Sequence, residues 1–429
     1  MTAIAEHGLK RFFAADHGPV EVEASPSYGN GFTLKELLAL EPGSEEQLLC
    51  LSLSHYTGAR PLSLSQSHRR CAMPCFPDPC TCSAPSRSPP PPHTSIDDLG
   101  VGRLAESIAN LYEGIKPEDV LILSGVDAVI MDTLSALVSP GTKVALQSPE
   151  YPPLRNIPTW RGGVVSSWQP TVLAGEGGIT WDLDAPSVGE AGIVIATLPH
   201  SPFGWSPSHE WLASLVRKAD ERQQLLIVDE VYRGIDLTED GTGQLPSACE
   251  LSARAVIIGG VAKTYGLTGL RIGWVICRDP ELRGRIETHS MNGNTNVCAP
   301  TELLGVLALR HTKTLLDKNE RIARRNLDAV AAFVGRTGGV FRFSRPAAGL
   351  NVWLDWLGPN SASDLAKSIL AKERVLVADH TLFGVEDGAA AGGGLRVGLG
   401  PVDMPDRLAA LELAVARYVR EHQGDSPPS

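Results

Sequence analysis

The chain has 429 residues, 43 % of them apolar and 20 % charged, with a formal net charge of −11. This is ordinary globular composition with room for a large core and two or three domains, and it excludes disorder as the dominant state. No basic block stands out and no apolar run reaches membrane-spanning length, so nucleic acid and the bilayer are not expected partners. The start, Met1-Thr2-Ala3-Ile4-Ala5-Glu6-His7, lacks the basic and apolar regions of a signal peptide, and the expectation is a soluble cytoplasmic protein.

Residues 1–45 form an N-terminal segment with a short amphipathic start. The turn-rich Tyr28-Gly29-Asn30-Gly31 leads into a helix over Phe32-Thr33-Leu34-Lys35-Glu36-Leu37-Leu38. From about Ser63 the chain turns to proline, serine and cysteine, with Ser88-Pro89-Pro90-Pro91-Pro92 near the end of the stretch. Such composition cannot offset its ordering entropy, so 63–103 reads as a disordered insertion foreign to the fold. Cys71, Cys75, Cys80 and Cys82 crowd there, with His68 and His93 nearby, in no standard zinc spacing; no metal site is expected. Cys50, Cys249, Cys277 and Cys298 sit in apolar contexts and read as buried thiols.

After the insertion, short apolar runs alternate with helical patterns: Val120–Leu123, Lys143–Leu146, Gly163–Val165, Ile193–Ala196, Leu225–Val228, Ala255–Ile258 and Trp274–Cys277. Helices are expected at Asp127–Leu137 and Pro207–Gln223, the second capped by Ser206. The alternation predicts an α/β fold, a mostly parallel sheet with helices on both faces, over 46–310. A long helix from Lys313 to Phe333 opens a smaller α+β domain over 311–429, with a last strand at Gly394–Gly400 and a closing helix at Met404–Arg420.

Ligands of such sheets sit at the carboxyl ends of the strands, and four of those ends carry polar groups. Ser124-Gly125-Val126-Asp127 is a tight turn opening a helix, a place for an anion. Leu198-Pro199-His200-Ser201-Pro202-Phe203-Gly204 makes a rigid turn. Asp229-Glu230-Val231-Tyr232 puts a carboxylate directly after a buried run, which is costly unless it is paired. Gly259-Gly260-Val261-Ala262-Lys263 lies between two apolar runs and is followed by Arg271. A lysine that forms a Schiff base needs a partly desolvated place that frees the amine as a nucleophile. The set equips a site for a pyridine aldehyde phosphate: aldehyde to Lys263, ring nitrogen to Asp229, phosphate to the Gly125 turn and Arg271.

On these residues, above all the lysine loop ending in Gly269-Leu270-Arg271-Ile272-Gly273-Trp274, the chain resembles the class I/II aminotransferases, the fold type I pyridoxal-phosphate enzymes, from about Thr33 to Gly400. The resemblance implies a homodimer that binds pyridoxal 5'-phosphate and moves an amino group between an α-amino acid and a 2-oxo acid through a Lys263 aldimine. It implies that Asp229 keeps the ring nitrogen protonated, Tyr232 holds the ring hydroxyl, and Arg271 with the Val126 and Asp127 N–H groups binds phosphate. Tyr151 would stack on the ring, Tyr56 would reach the partner subunit's phosphate, and Arg396 would clamp the substrate carboxylate. The family's usual asparagine is replaced by Ser201, whose shorter side chain is expected to alter the tuning of the aldimine. Its usual serines before the lysine are replaced by Gly260 and Ala262, so cofactor affinity is expected to be weaker. Gly31–Leu37 and the Arg396 context also resemble the capreomycidine-synthase branch, which makes a lyase or cyclase the alternative; an inactive product of a faulty gene model is another. A regulator would need a DNA-binding module, for which the leader offers no room. Arg155 either faces the pocket, favouring an acidic substrate side chain, or lies in solvent.

Overall fold

The computed structural model describes residues 4–49, 51, 101–172, 179–241, 243–293, 297–386 and 393–422. Tyr56, Cys50, the crowded cysteines, His68, His93 and all of the expected insertion but its last three residues lie outside them.

Near the start of the chain come three short helices, among them α1 (Gly8–Ala14) and α2 (Leu34–Leu38). The second is held by a capping box between Thr33 and Glu36. The central sheet is built from β1 (Val120–Leu123), β2 (Lys143–Gln147), β3 (Val164–Trp168), β4 (Ile193–Thr197), β5 (Leu225–Asp229), β6 (Val256–Gly260) and β7 (Gly273–Cys277). These seven strands lie in the order β1-β7-β6-β5-β4-β2-β3. β3 starts one residue later than the sequence pattern implies, and β5 takes in Asp229.

Alternation along each strand explains burial on both faces. Val194, Ala196, Leu226, Val228 and Ile257 enter one apolar cluster, while Ile193, Ile195, Ile227, Val256 and Ile258 enter the other. Each such side chain, fully buried, is worth about 1.5–3 kcal/mol. Covering helices include α3 (Val126–Leu137) and α4 (His209–Glu221). The cap of α4 is Ser208, whose hydroxyl accepts from Trp211 N at 3.2 Å, so the cap expected at Ser206 is displaced by two residues. Pro207 therefore precedes the helix instead of opening it.

Only β7 runs against its neighbours, β1 and β6. Its register sets Gly273 opposite both Leu123 and Gly260. The loop before β7 therefore opens at the same edge as the loops after β1 and β6. That edge is where the chemistry gathers.

Beyond α5 (Ala299–Arg310), the 25-residue helix α6 (Thr312–Arg336) leads to a four-stranded sheet. It comprises β8 (Phe341–Arg342), β9 (Asn351–Trp356), β10 (Ala378–Asp379) and β11 (Gly394–Gly398), in the order β8-β9-β11-β10. The closing helix, α7 (Met404–His422), packs Leu408, Leu411 and Val415 into that sheet's cluster. The N-terminal segment joins it, as Val22 and Glu23 pair with Val375 and Leu376. Among the described cysteines Cys249 and Cys277 are buried free thiols, but Cys298 is exposed, because it stands at the cap position before α5. No described helix is long and apolar enough to cross a membrane.

Candidate active site

Gly125 caps α3 at φ 93°, a conformation glycine tolerates and L-residues rarely adopt. Val126 and Asp127 are then the first helical residues, whose N–H groups have no carbonyl a turn behind them. Arg271, at φ 50°, follows the short helical turn Thr268–Leu270 and directs its guanidinium over Gly125, where any Cβ would collide with it. The result is a cradle of backbone donors, a helix N-terminus and a guanidinium, as an anion requires. The strand register produces it: Gly125 lies two residues after β1 and Arg271 two residues before β7.

Lys263 lies three residues past β6, half-buried. Its loop is pinned from outside the central sheet. Gly29 N donates to the Lys263 carbonyl at 2.7 Å, and Asn319 Nδ2, from α6, donates to the Thr264 carbonyl at 2.9 Å. Lys263 Nζ donates to Ser27 Oγ at 3.3 Å and stands 5.9 Å from the centre of the Tyr232 ring. Tyr232 is buried, with the polar side chains of Ser27 and Asn351 beside its hydroxyl. Burial would raise its phenol, but the charges of Lys263 and Arg396 and these two polar neighbours outweigh it, so the pKa lies below the ordinary tyrosine value.

Asp229, the last residue of β5, is 3 % exposed and accepts from Val231 N at 3.2 Å. Burial drives its pKa up to about 7, only partly opposed by that hydrogen bond and by the charge of Lys263. A carboxyl in that state is poised for a cationic partner such as a protonated ring nitrogen. Its neighbour Glu230 faces elsewhere. It is bonded by Ser247 Oγ at 2.8 Å and Ala248 N at 3.1 Å, is pushed by burial to about 7, and lines a separate cavity of about 230 Å³ with Arg233, Tyr112 and Tyr265.

Both carboxyls bind protons more tightly in the folded chain than at their unfolded values of about 3.9 and 4.3. The folded state is therefore the more protonated one between those values and 7. The stability this contributes is full below about pH 4 and is lost as pH rises through about 7. The melting temperature of the cofactor-free protein should accordingly fall between pH 5 and pH 8, and Asp229→Asn and Glu230→Gln should each flatten the decline. Thermal unfolding across that range checks it; a profile that rises toward pH 8 and is unaffected by either substitution would contradict it.

Tyr151 is largely buried, and its hydroxyl donates to Asp127 Oδ1 at 2.8 Å. Burial and the Asp127 charge push its pKa upward, so the phenol stays neutral. Arg396 on β11 is 4 % exposed. It donates from Nη2 to the Ser25 carbonyl at 3.0 Å, its guanidinium lies 4.9 Å from the centre of the Phe383 ring, and its buried Nε has no hydrogen-bond partner. Burial holds its pKa below the ordinary arginine value. No carboxylate forms an ion pair with it among the described residues. A buried cation with spare donors fits an incoming carboxylate.

The structure brings Asp229, Tyr232, Lys263 and Arg396 into one charge-coupled set, with Asp127 and Tyr151 beside it and Gly125, Val126 and Arg271 forming the cradle. Ser201 is half-buried in the turn after β4, and its hydroxyl makes no hydrogen bond to another described residue. An amide beside Tyr232 comes from Asn351, at the start of β9. Gly260 has a packing reason as well, since any Cβ there would collide with the Val126 side chain. A serine could not stand at 260 without moving the Val126 side chain. Arg155 is neither free in the pocket nor in open solvent. It pairs with buried Glu150 and donates to Ser167 Oγ at 2.8 Å. Ser27 and Asn351 escaped the sequence reading because neither carries a periodic or motif signal; both are placed by chain distant from the lysine.

The family model "Aminotransferase class I and II" matches residues 93–410, well over half of the chain. The valine–pyruvate aminotransferase of Mycobacterium tuberculosis is 30 % identical over 215 residues, 47 % of this chain and 52 % of that protein. The chain thus matches about half the length of that relative. Among solved structures, a PLP-dependent aminotransferase from Streptococcus suis is similar with a TM-score of 0.78, 21 % identity and coverage of 97 % of this chain and 99 % of that one. A PLP-dependent cyclase, OrfR, is similar with a TM-score of 0.75, 21 % identity and 98 % coverage of both chains. At these identities the structural likenesses speak for the fold, mostly parallel α/β with helices on both faces. The family match adds what the strand-end geometry had already outlined: the chain belongs to the class I and II aminotransferases.

Proposed function

We propose that the protein is a pyridoxal-phosphate-dependent aminotransferase moving an amino group between an α-amino acid and a 2-oxo acid. The observation that carries this reading is the convergence of the Lys263 amine, the buried Asp229 carboxyl, Tyr232 and the uncompensated Arg396 guanidinium beside an anion cradle. The residues fit the cofactor: Gly125, Val126, Asp127 and Arg271 would hold its phosphate, Tyr151 its ring face, Tyr232 its ring hydroxyl and Asp229 its ring nitrogen. When bound, the cofactor supplies an electron sink for the bond broken at the substrate's α-carbon.

The chain's own residues do the rest. Lys263 provides the amine that anchors the cofactor and takes and returns the α-proton. Ser27 accepts from its Nζ, and the charge of Lys263 holds the phenol of Tyr232 below its ordinary pKa. Arg396 fixes the substrate carboxylate, so that the α-carbon is presented in one orientation. Asp229, once paired with a cation, is held ionised by that partner against its burial.

Residues 1–45, 46–310 and 311–429 are read as N-terminal segment, large domain and small domain, supported by the confinement of the seven-stranded and four-stranded sheets to 120–277 and 341–398. The protein is read as a homodimer, on the family resemblance around Tyr56, and as cytoplasmic, on the free thiols of Cys249 and Cys277. The test is a half-reaction. Purified protein loaded with pyridoxal phosphate should convert the cofactor to its amine form when mixed with single α-amino acids, releasing one equivalent of 2-oxo acid. Ammonia release or ring closure, with the cofactor unchanged at the end, would replace transfer by a lyase or cyclase reading.

A further inference from the structure

Asp127 creates a difficulty for an anion cradle. Its backbone N–H points to an anion site, yet its side chain adds a negative charge: Oδ2 lies 3.5 Å from Arg271 Nη2, and Oδ1 accepts from Tyr151. Arg271 and Asp127 together sum to zero, which leaves chiefly the partial positive charge of the α3 N-terminus, about +0.5, to attract an anion. A phosphate ester carries more negative charge than that can balance.

The missing charge comes from the far end of the chain. Lys10 Nζ, on α1, lies 2.7 Å from Asp127 Oδ2. Burial would raise the Asp127 carboxyl, but the bonds from Lys10 and Tyr151 and the charges of Lys10 and Arg271 hold it below its ordinary value. Asp127 thus stays ionised and keeps its cation. The helix that carries Lys10 is fixed by polar and apolar contacts. His7, at its cap, lies 2.8 Å from the Tyr151 hydroxyl through Nε2, and its Nδ1 accepts from Lys10 N at 3.3 Å. The single phenolic proton of Tyr151 is given to Asp127, so Nε2 must be the donor to the phenol oxygen. That assigns His7 as the neutral tautomer, in keeping with a pKa lowered by burial and by the Lys10 charge. Asn156 Nδ2 donates to the carbonyls of Ala5 at 3.3 Å and Glu6 at 3.1 Å, and Leu9, 7 % exposed, packs with Trp353 and Phe383.

We infer that α1 is a working wall of the anion cradle: Lys10 neutralises Asp127 so that Arg271 and the α3 N-terminus are free for a phosphate, and His7 orients Tyr151 above it. Lys10 is a positioning residue that acts through Asp127. The inference rests on the pyridoxal-phosphate reading, and its test separates the two. Dissociation constants for pyridoxal phosphate are measured by absorbance and fluorescence titration on the full chain and on the variants Lys10→Met, Lys10→Arg and Lys10→Met/Asp127→Asn.

Loss of one charge near the cradle is expected to weaken binding about 5- to 10-fold at low ionic strength. The gap should shrink at high salt, arginine should preserve the affinity, and adding Asp127→Asn to Lys10→Met should restore it. Restoration by a second charge removal is a result that a merely structural role for Lys10 cannot give. Lys10→Met binding as tightly as the unaltered protein, or a double variant no better than the single one, overturns the inference while leaving the functional reading standing. An unaltered protein that takes up no pyridoxal phosphate overturns both.

Discussion

Lys263→Ala is expected to abolish covalent attachment of pyridoxal phosphate and to lower amino-group transfer by on the order of 10⁴-fold. The cradle of Gly125, Val126 and Arg271 does not touch the lysine side chain, so the variant should still bind the cofactor non-covalently. The loop should also persist, because Gly29 and Asn319 hold its backbone through the carbonyls of Lys263 and Thr264, which the substitution leaves in place. Borohydride reduction followed by peptide mass analysis checks the attachment: a tag on Lys263 in the unaltered protein and none in the variant. Turnover within tenfold of the unaltered protein, or a tag on another lysine, would remove Lys263 from the chemistry.

The second large effect is expected at Arg396. Its guanidinium is buried, stacked on Phe383 and bonded to one backbone carbonyl, with Nε unpaired. Arg396→Met should lower kcat/KM for α-amino acids by about 10²–10³-fold, the worth of a buried charge-assisted pair to a carboxylate. Arg396→Lys should recover little, because an ammonium offers no planar fork. The decisive comparison is with the decarboxylated amine of a good substrate. Its slow reaction should be nearly indifferent to the substitution; equal losses for amine and amino acid would mean that Arg396 supports the sheet and not the substrate.

The division between what was legible in the chain and what was not follows chain distance. Lys263 with Arg271, Asp229 with Tyr232, and Gly125 with Val126 are local signals, each a polar group within a few residues of a β-branched run. The strand period and the loop chemistry could be read together there. The reversed strand β7 was not legible, since an apolar run carries no direction. Yet its register is what sets Arg271 against Gly125. Asn351 shows the same limit from the other side. It stands beside Tyr232 from the second sheet, where no motif around Tyr232 could point to it.

The sequence by itself determined the strands of the central sheet and the polar residues gathered at their ends. Periodicity and glycine turns act over a few residues and need no partner to be read. Only the tertiary structure decided how those groups are tuned. Ser27 reaches Lys263 from 236 positions away, Lys10 reaches Asp127 from 117, and Arg396 meets Ser25 across 371. Charge compensation and hydrogen bonding depend on distances in space of a few ångströms, and no local pattern in a chain encodes those.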